Sequence, residues 1–287
     1  MAKVDNEIKG RLALVTGASG GIGAACARDL WQQGASLALT CYKNRATADV
    51  LAQELSVQDQ SRKISVHVAN MGSAADLEQL ILDLETEHGQ SGPDILIANA
   101  GYGRRIPNIL DIPLDEFEYT LRINLQAPFM LAKLSLPHML RHQWGRVVFV
   151  SSIAAIGGGS MGVTVSFLTA LLWNIPEGYI KIVVILLLTQ KKKTIDAASK
   201  AGLTGMMKNL ANKHAHVGIT FNDVAPAMIG ETGLIPDEKT VEGTAGDVKN
   251  IPVGRLGVPQ ECANVVTMLC KTGYMTGQSI LLSGGLK

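Results

Sequence analysis

The sequence predicts an α/β fold, a parallel sheet of about seven strands with helices packed on both faces. Three observations predict it. Short β-prone runs alternate with longer segments of helical periodicity across the 287 residues, the pattern of strands joined by helical crossovers. The strand over 94–98 is apolar on both sides, as a strand lying between two helical layers must be. Finally, the run Leu12-Ala13-Leu14-Val15 leads directly into Thr16-Gly17-Ala18-Ser19-Gly20-Gly21-Ile22-Gly23, which reads as strand, tight turn and helix. Glycine there allows a sharp turn and lets a phosphate approach without meeting a Cβ. The helix that follows aims free N–H groups and its positive dipole end at the same place. For the glycines alone, a βα turn with no ligand is the competing explanation.

Taken in order, the first strand over 12–15 is followed by a helix over 24–33, stopped at Gly34. A strand over 36–40, a helix over 46–55 and a strand over 64–68 come next. Ser73, with Asp76 three residues on, forms an N-cap pair that satisfies free N–H groups. The helix it opens carries Leu77, Leu80, Ile81 and Leu84 on one face. After the fourth strand, residues 113–140 read as helical, kinked or divided by Pro128 and Pro137. The fifth strand over 146–150 ends at Ser151-Ser152. A helix over 200–214, a sixth strand over 219–224, a helix over 259–270 and a seventh strand over 279–282 complete the pattern. No repeat and no linker divides it, so residues 1–287 are expected to form a single domain.

Residues 163–195 break the pattern. Two apolar tracts flank Asn174-Ile175-Pro176-Glu177-Gly178, and Gln190-Lys191-Lys192-Lys193 follows. Each tract is shorter than the roughly 20 residues a bilayer span needs. An added hairpin, a shallow membrane contact beside the lysines and a segment with no functional fold remain as alternatives.

Composition bounds the function. The chain is 47% hydrophobic, enough for a substantial core, and its formal net charge is +1, which gives no basic field for nucleic acid. The first seven residues are polar and mixed in charge, unlike a secretory or transit peptide. Cys26, Cys41, Cys262 and Cys270 form no close-spaced metal pair and read as buried reduced thiols. The expectation is a soluble cytoplasmic protein with no metal, no nucleic-acid partner and no membrane span.

Several motifs stand in order along the chain. The glycine turn has the form TGxxxGxG, and Ala98-Asn99-Ala100-Gly101 has the form NNAG with alanine at its first position. Asn124 lies in Arg122-Ile123-Asn124-Leu125-Gln126-Ala127-Pro128-Phe129, and Ser152 follows Val148-Phe149-Val150-Ser151. Asn222 to Thr232 has the form NxxxPGxxxT, with Ala227 in place of glycine. Arg255-Leu256-Gly257-Val258-Pro259-Gln260-Glu261, Tyr274-Met275-Thr276-Gly277-Gln278 and Ser283-Gly284-Gly285 close the series. From about Gly10 to Gly285 the chain resembles the short-chain dehydrogenase/reductase family, and most of all its 3-oxoacyl-[acyl-carrier-protein] reductases.

The resemblance implies a Rossmann-like doubly wound sheet and a reversible carbonyl/alcohol oxidoreduction with a nicotinamide dinucleotide. It assigns cofactor contacts to Gly17, Ser19, Gly21, Ile22 and Gly23, to Asn70 and Met71 facing the adenine, to Asn99, Ala100 and Gly101, and to Pro226, Ile229 and Thr232. Ser152 would hold the carbonyl oxygen, Lys200 would bind the nicotinamide ribose, and Asn124 would hold a water leading protons out. These roles suit the chemistry, because hydride transfer to a carbonyl creates an alkoxide that needs a hydrogen-bond donor and a proton source. Loops at the carboxyl ends of strands one, four, five and six would line one crevice, where ligands bind in such sheets. Purely structural roles compete: Asn124 capping a helix break, Ser152 ending a strand. The end of the second strand, Thr40-Cys41-Tyr42-Lys43-Asn44-Arg45, has no carboxylate to bind a ribose 2′-hydroxyl, while Lys43, Asn44 and Arg45 suit a 2′-phosphate. NADP(H) is therefore favoured over NAD(H).

One motif fails. Ala197-Ala198-Ser199-Lys200-Ala201-Gly202-Leu203 resembles the continuation of the family's YxxxK, but Asp196 stands where the tyrosine should be. It lies 44 positions after Ser152, far more than the spacing in relatives, and the surplus coincides with residues 163–195. An aspartate beside a lysine is held as the carboxylate and has no proton to give, and Tyr179 has Val183 rather than lysine four residues later. Translated intron sequence, a genuine insertion that recruits another donor, and a cofactor-binding pseudoenzyme each account for this. The expected substrate is a small-molecule or acyl-carrier-linked carbonyl compound. Arg104-Arg105 either attracts an acidic substrate or forms a solvated loop. Family members commonly assemble as homotetramers on the helices around Asn124 and Lys200, an assembly the insert would disturb.

Overall fold

The computed structural model describes residues 4–104, 106, 108–157 and 194–286. Seven strands, β1 (Leu12–Val15), β2 (Ser36–Cys41), β3 (Ile64–Val68), β4 (Ile95–Ala98), β5 (Gly145–Val150), β6 (Ile219–Pro226) and β7 (Ser279–Leu282), form one parallel sheet. Its order is β3-β2-β1-β4-β5-β6-β7. The winding reverses between β1 and β4, so the glycine turn that leaves β1 opens at the switch point of the sheet.

Side chains alternate across the pleat, and the two faces are covered by different helices. Ala13, Val15, Leu37, Leu39, Ile95, Ile97 and Val148 pack beneath α1 (Gly21–Gln32), α2 (Arg45–Gln58) and α8 (Pro259–Cys270). Leu12, Leu14, Ala38, Leu96, Val147, Phe149 and Phe221 pack beneath α3 (Ala74–His88), α5 (Ala127–His142) and α7 (Thr194–His214). The predicted doubly wound sheet of seven strands is therefore the one observed.

The elements differ from their predicted bounds in instructive places. The helical run over 113–140 divides into α4 (Leu114–Leu121), a wider π turn at Arg122–Gln126, and α5. The break falls ahead of both prolines. Pro128 occupies the first turn of α5, where its missing N–H costs no intrahelical bond, and Pro137 stays inside that helix. A short α6 (Ala154–Gly157) follows β5. Helix α7 begins at Thr194, so Asp196 lies on it one turn ahead of Lys200. Residues 163–193, most of the stretch that broke the sequence pattern, lie outside the described residues. The Ser73 cap forms as expected: its hydroxyl accepts from Asp76 N at 3.2 Å and donates to Asp76 Oδ1 at 2.6 Å.

All four cysteines are free and buried. Burial pushes the thiols of Cys262 and Cys270 up to about 12. No helix among the described residues is long and apolar enough to cross a membrane.

Candidate functional site

The glycine turn is fastened to the strands on either side of it. Gly17 N donates to Thr40 Oγ1 at 3.2 Å and Ala18 N to Thr40 O at 2.8 Å. Thr16 Oγ1 accepts from Asn99 N and Ala100 N at 3.0 and 2.9 Å. The Asn99 amide donates to Thr16 O at 2.8 Å and Gly17 O at 3.3 Å. Asn99 therefore holds the turn in shape, a role that its place in the NNAG motif did not reveal.

The glycines answer to the chain itself as much as to a ligand. A Cβ on Gly23 would lie 2.4 Å from Gly17 O, and one on Gly21 would lie 2.3 Å from Glu231 O. Gly17 has φ +66°, the left-handed region that favours glycine. The N-terminus of α1 has no side-chain cap and no acidic residue in its first turn. Its N–H groups and dipole thus remain available to an anion, and a dinucleotide pyrophosphate fits this cradle. Ser19 and Ile22 are half-buried at its edge.

At the end of β2, Lys43, Asn44 and Arg45 are exposed, with Arg45 Nε 3.3 Å from Asp49 Oδ2. Lys43 is not in an ion pair among the described residues. Met71 is only 8% exposed and packs in the core layer with Leu77 and Ile123. An apolar side chain next to an open crevice gains more by joining the core beneath α3. Asn70 is half-buried, and its Oδ1 accepts from Gly72 N at 2.9 Å.

The groups expected to act on substrate converge. Asn124 sits in the π turn, 1% exposed, with Oδ1 accepting from Tyr102 N and Nδ2 donating to Tyr102 O, both at 2.8 Å. It clamps the loop after β4 rather than capping the helix break, and a water has only the other Oδ1 lone pair or the backbone to bind. Lys200 on α7 is buried, and its Nζ donates to Val150 O at 2.8 Å. A Cβ on Gly101 would lie 3.6 Å from Asn124 Oδ1 and 3.7 Å from Lys200 Nζ, so both head groups flank the end of β4. Burial lowers the Lys200 ammonium below its ordinary value, against the opposing charges of Asp196 and Asp223.

Ser152 follows β5, and its Oγ accepts from Ala154 N at 3.2 Å, capping α6. Neighbouring hydroxyls are committed: Ser151 donates to Asp223 at 2.8 Å and Ser199 to Asp196 O at 2.9 Å. Among the described residues the Ser152 hydroxyl has no acceptor.

At the end of β6, Pro226 O accepts from Ile153 N at 2.9 Å. Ile229 is buried against Gly257, and Thr232 Oγ1 donates to Ile229 O at 3.2 Å within its own loop. Asn222 donates to Met275 O at 2.8 Å and accepts from Gln278 N at 3.1 Å, joining two of the sequence motifs. Arg255 grips Glu261 at 2.9 and 2.8 Å and, with Val258 N, holds that carboxyl at about 2. Arg104 lies 3.3 Å from Glu116, while Arg105 is outside the described residues.

A doubly wound sheet with a glycine turn at its switch point defines the dinucleotide-binding class of α/β proteins. The short chain dehydrogenase family matches residues 11–165, and a family described as Enoyl-(Acyl carrier protein) reductase matches residues 183–287. Dehydrogenase/reductase SDR family member 4 of Bos taurus is 30% identical over 98% of this chain and 88% of its own length. The 3-oxoacyl-[acyl-carrier-protein] reductase FabG of Rickettsia bellii is 28% identical over 98% of each chain. Among solved structures, a blue fluorescent protein from a metagenomic library, in complex with NADPH, superposes with a TM-score of 0.77 at 28% identity, over 98% of this chain and 99% of its own. A dehydrogenase/reductase from Sinorhizobium meliloti gives 0.78 at 26% identity over 98% of each. The chain belongs to the short-chain dehydrogenase/reductase family.

Proposed function

We propose that the chain is an NADP(H)-binding oxidoreductase of this family, arranged to interconvert a 3-oxoacyl-type carbonyl and its alcohol, with its proton step impaired. The observation that carries this is the convergence of Asn124 and Lys200 on Gly101, with Ser152 just past the end of β5 and Asp196 on the turn ahead of Lys200. The NADPH held by one solved relative and the named activity of another support the cofactor and the substrate class.

When bound, the dinucleotide supplies or takes the hydride. The α1 N-terminus would hold its pyrophosphate, Lys43 its 2′-phosphate, and Lys200 its nicotinamide ribose. The Ser152 hydroxyl donates to the carbonyl oxygen and stabilises charge that develops there. Asn124 keeps the loop after β4 closed against the π turn. No described side chain at position 196 can give a proton as a phenol would, which favours cofactor binding with little turnover.

We read residues 163–195 as an insertion within a single domain. The two family matches leave residues 166–182 between them. Leu125, Phe129 and Met206 line a shallow apolar groove on the outer helices, the face on which a homotetramer would pack.

The test compares the chain with Asp196→Tyr. NADPH binding, followed by its fluorescence, should be retained in both. Steady-state NADPH oxidation with a 3-oxoacyl thioester should rise about a hundredfold in the variant, the scale of general-acid catalysis. Equal turnover in the two proteins overturns the impaired proton step, and absence of NADPH binding overturns the cofactor assignment.

A further inference from the structure

The sixth strand carries a charge that neither the sequence motifs nor the family roles account for. Phe221 and Asp223 alternate onto the face of β6 that packs beneath α7. Asp223 is 0% exposed. Burying a carboxylate is unfavourable unless its oxygens are hydrogen-bonded, and here they are. Oδ1 accepts from Ser151 Oγ at 2.8 Å and Ser279 Oγ at 2.7 Å, and Oδ2 accepts from Thr204 Oγ1 at 2.9 Å.

These three hydroxyls come from the residue after β5, from α7 and from β7 and are neutral, so they satisfy the oxygens without cancelling the charge. Ser151 immediately precedes Ser152. Thr204 stands one helical turn after Lys200, whose carbonyl its hydroxyl also reaches at 3.4 Å. The Lys200 ammonium donates to Val150 O, and Val150 pairs in register with Val224, the neighbour of Asp223. A buried cation and a buried anion thus occupy one corner between β5, β6 and α7. The charged groups that act on Lys200 there are Asp196 from α7 itself and, less strongly, Asp223 from β6, while Asn124 and Ser199 are neutral.

We propose that Asp223 is a positioning residue of this site: it ties the backbones of Ser152 and Lys200 together through Ser151 and Thr204, and it supplies the buried negative charge that keeps the Lys200 ammonium charged. This rests on Lys200 being the lysine that meets the cofactor ribose. An asparagine would preserve the shape and lose the charge.

The experiment follows the Lys200 side chain directly in the full chain, by carbon NMR with lysine-selective labelling, its signal identified by its loss in Lys200→Arg. In Asp223→Asn the titration midpoint of Lys200 should fall by about one pH unit. In Ser279→Ala, which removes one hydroxyl and keeps the charge, it should stay in place. Asp223→Ser, which retains a small polar partner, must reproduce the fall and serves if the asparagine variant does not fold. An unmoved midpoint in either Asp223 variant, or an equal fall in Ser279→Ala, overturns the proposal. NADPH binding is measured separately on the unaltered chain: its absence would overturn the cofactor assignment, while the lysine midpoint would still report on Asp223.

Discussion

Gly23→Ala tests whether the glycine turn is set by the chain's own packing. The added methyl would sit 2.4 Å from Gly17 O, 2.9 Å from Gly17 C and 2.7 Å from the Asn99 amide nitrogen. None of these can swing aside. The carbonyl belongs to the turn, and the Asn99 amide is pinned by its bonds to Thr16 O and Gly17 O. Reaching ordinary contact requires a retreat of roughly 1 Å. Overpacking of this kind costs about 1–3 kcal/mol, and weakening an Asn99 bond adds about 1 kcal/mol. The reduced freedom of the unfolded chain returns about 0.4–1 kcal/mol. A net loss of about 2 kcal/mol should lower Tm by about 3–4 °C in a chain of this length. Because the displaced turn is the one that aims N–H groups at the phosphate, NADPH affinity should fall by about tenfold, or about 1.4 kcal/mol. Gly20→Ala is the control, since its Cβ would meet only Gly17 O at 3.4 Å, an ordinary contact. Differential scanning fluorimetry and NADPH titration read both effects. If Gly23→Ala melts and binds as Gly20→Ala does, the packing argument is wrong.

Two further outcomes are expected. Lys43→Ala should weaken NADPH about tenfold while leaving NADH nearly unchanged, the scale of one charge-assisted bond to an exposed phosphate; an unchanged ratio of the two dissociation constants would remove Lys43 from the site. His88 is held down to about 4 from 6.5 by burial, with the charges of His67 and Lys63 adding to it. Below pH 6.5 the unfolded chain takes up a proton that the folded chain resists, so this stability is complete above 6.5 and is lost as pH falls towards 4. Tm should therefore fall more steeply over that window in the unaltered chain than in His88→Gln, and parallel slopes would refute the assignment.

The fold was legible because alternation of strand and helix is a local pattern. The runs at 12–15, 64–68 and 279–282 needed no tertiary knowledge, and the structure places strands at those same residues. The division of 113–140 was not legible in the same way. Prolines mark where an N–H is missing, whereas the break at Arg122–Gln126 surrounds Asn124, which turns inward to bond the backbone of Tyr102. Motifs located Ser152, Asn124 and Lys200, but could not separate groups that touch ligand from groups that hold the frame. Asn99 and Asn222 are committed to neighbouring backbone, and Met71 joins the core. Asp223 had a signal available, a carboxylate inside an apolar strand. Its meaning depends on Ser151, Thr204 and Ser279, which lie far apart in sequence and meet only in the folded chain.

The same inventory of hydroxyls bears on where a proton could come from. Ser199 donates to Asp196 O, and Ser151 and Thr204 donate to Asp223. Tyr102 lies close by in sequence to Gly101, yet its hydroxyl points to Glu116 at 3.4 Å, and burial together with that carboxylate pushes the phenol up. A raised phenol anchored to a carboxylate is a poor stand-in for one lowered by a neighbouring ammonium. Ser152 keeps a hydrogen to offer, and an aliphatic hydroxyl can stabilise an alkoxide by hydrogen bonding without surrendering its proton to it. Electrostatic stabilisation and proton delivery are separate contributions to lowering the barrier, and in the proposed reading this chain keeps the first without the second. Restoring a phenol at position 196 places it one turn from the Lys200 ammonium, whose charge Asp223 helps to hold, so the gain from Asp196→Tyr should itself diminish when Asp223→Asn is added. Independent, additive effects of the two substitutions on turnover would show that Asp223 does not act through Lys200.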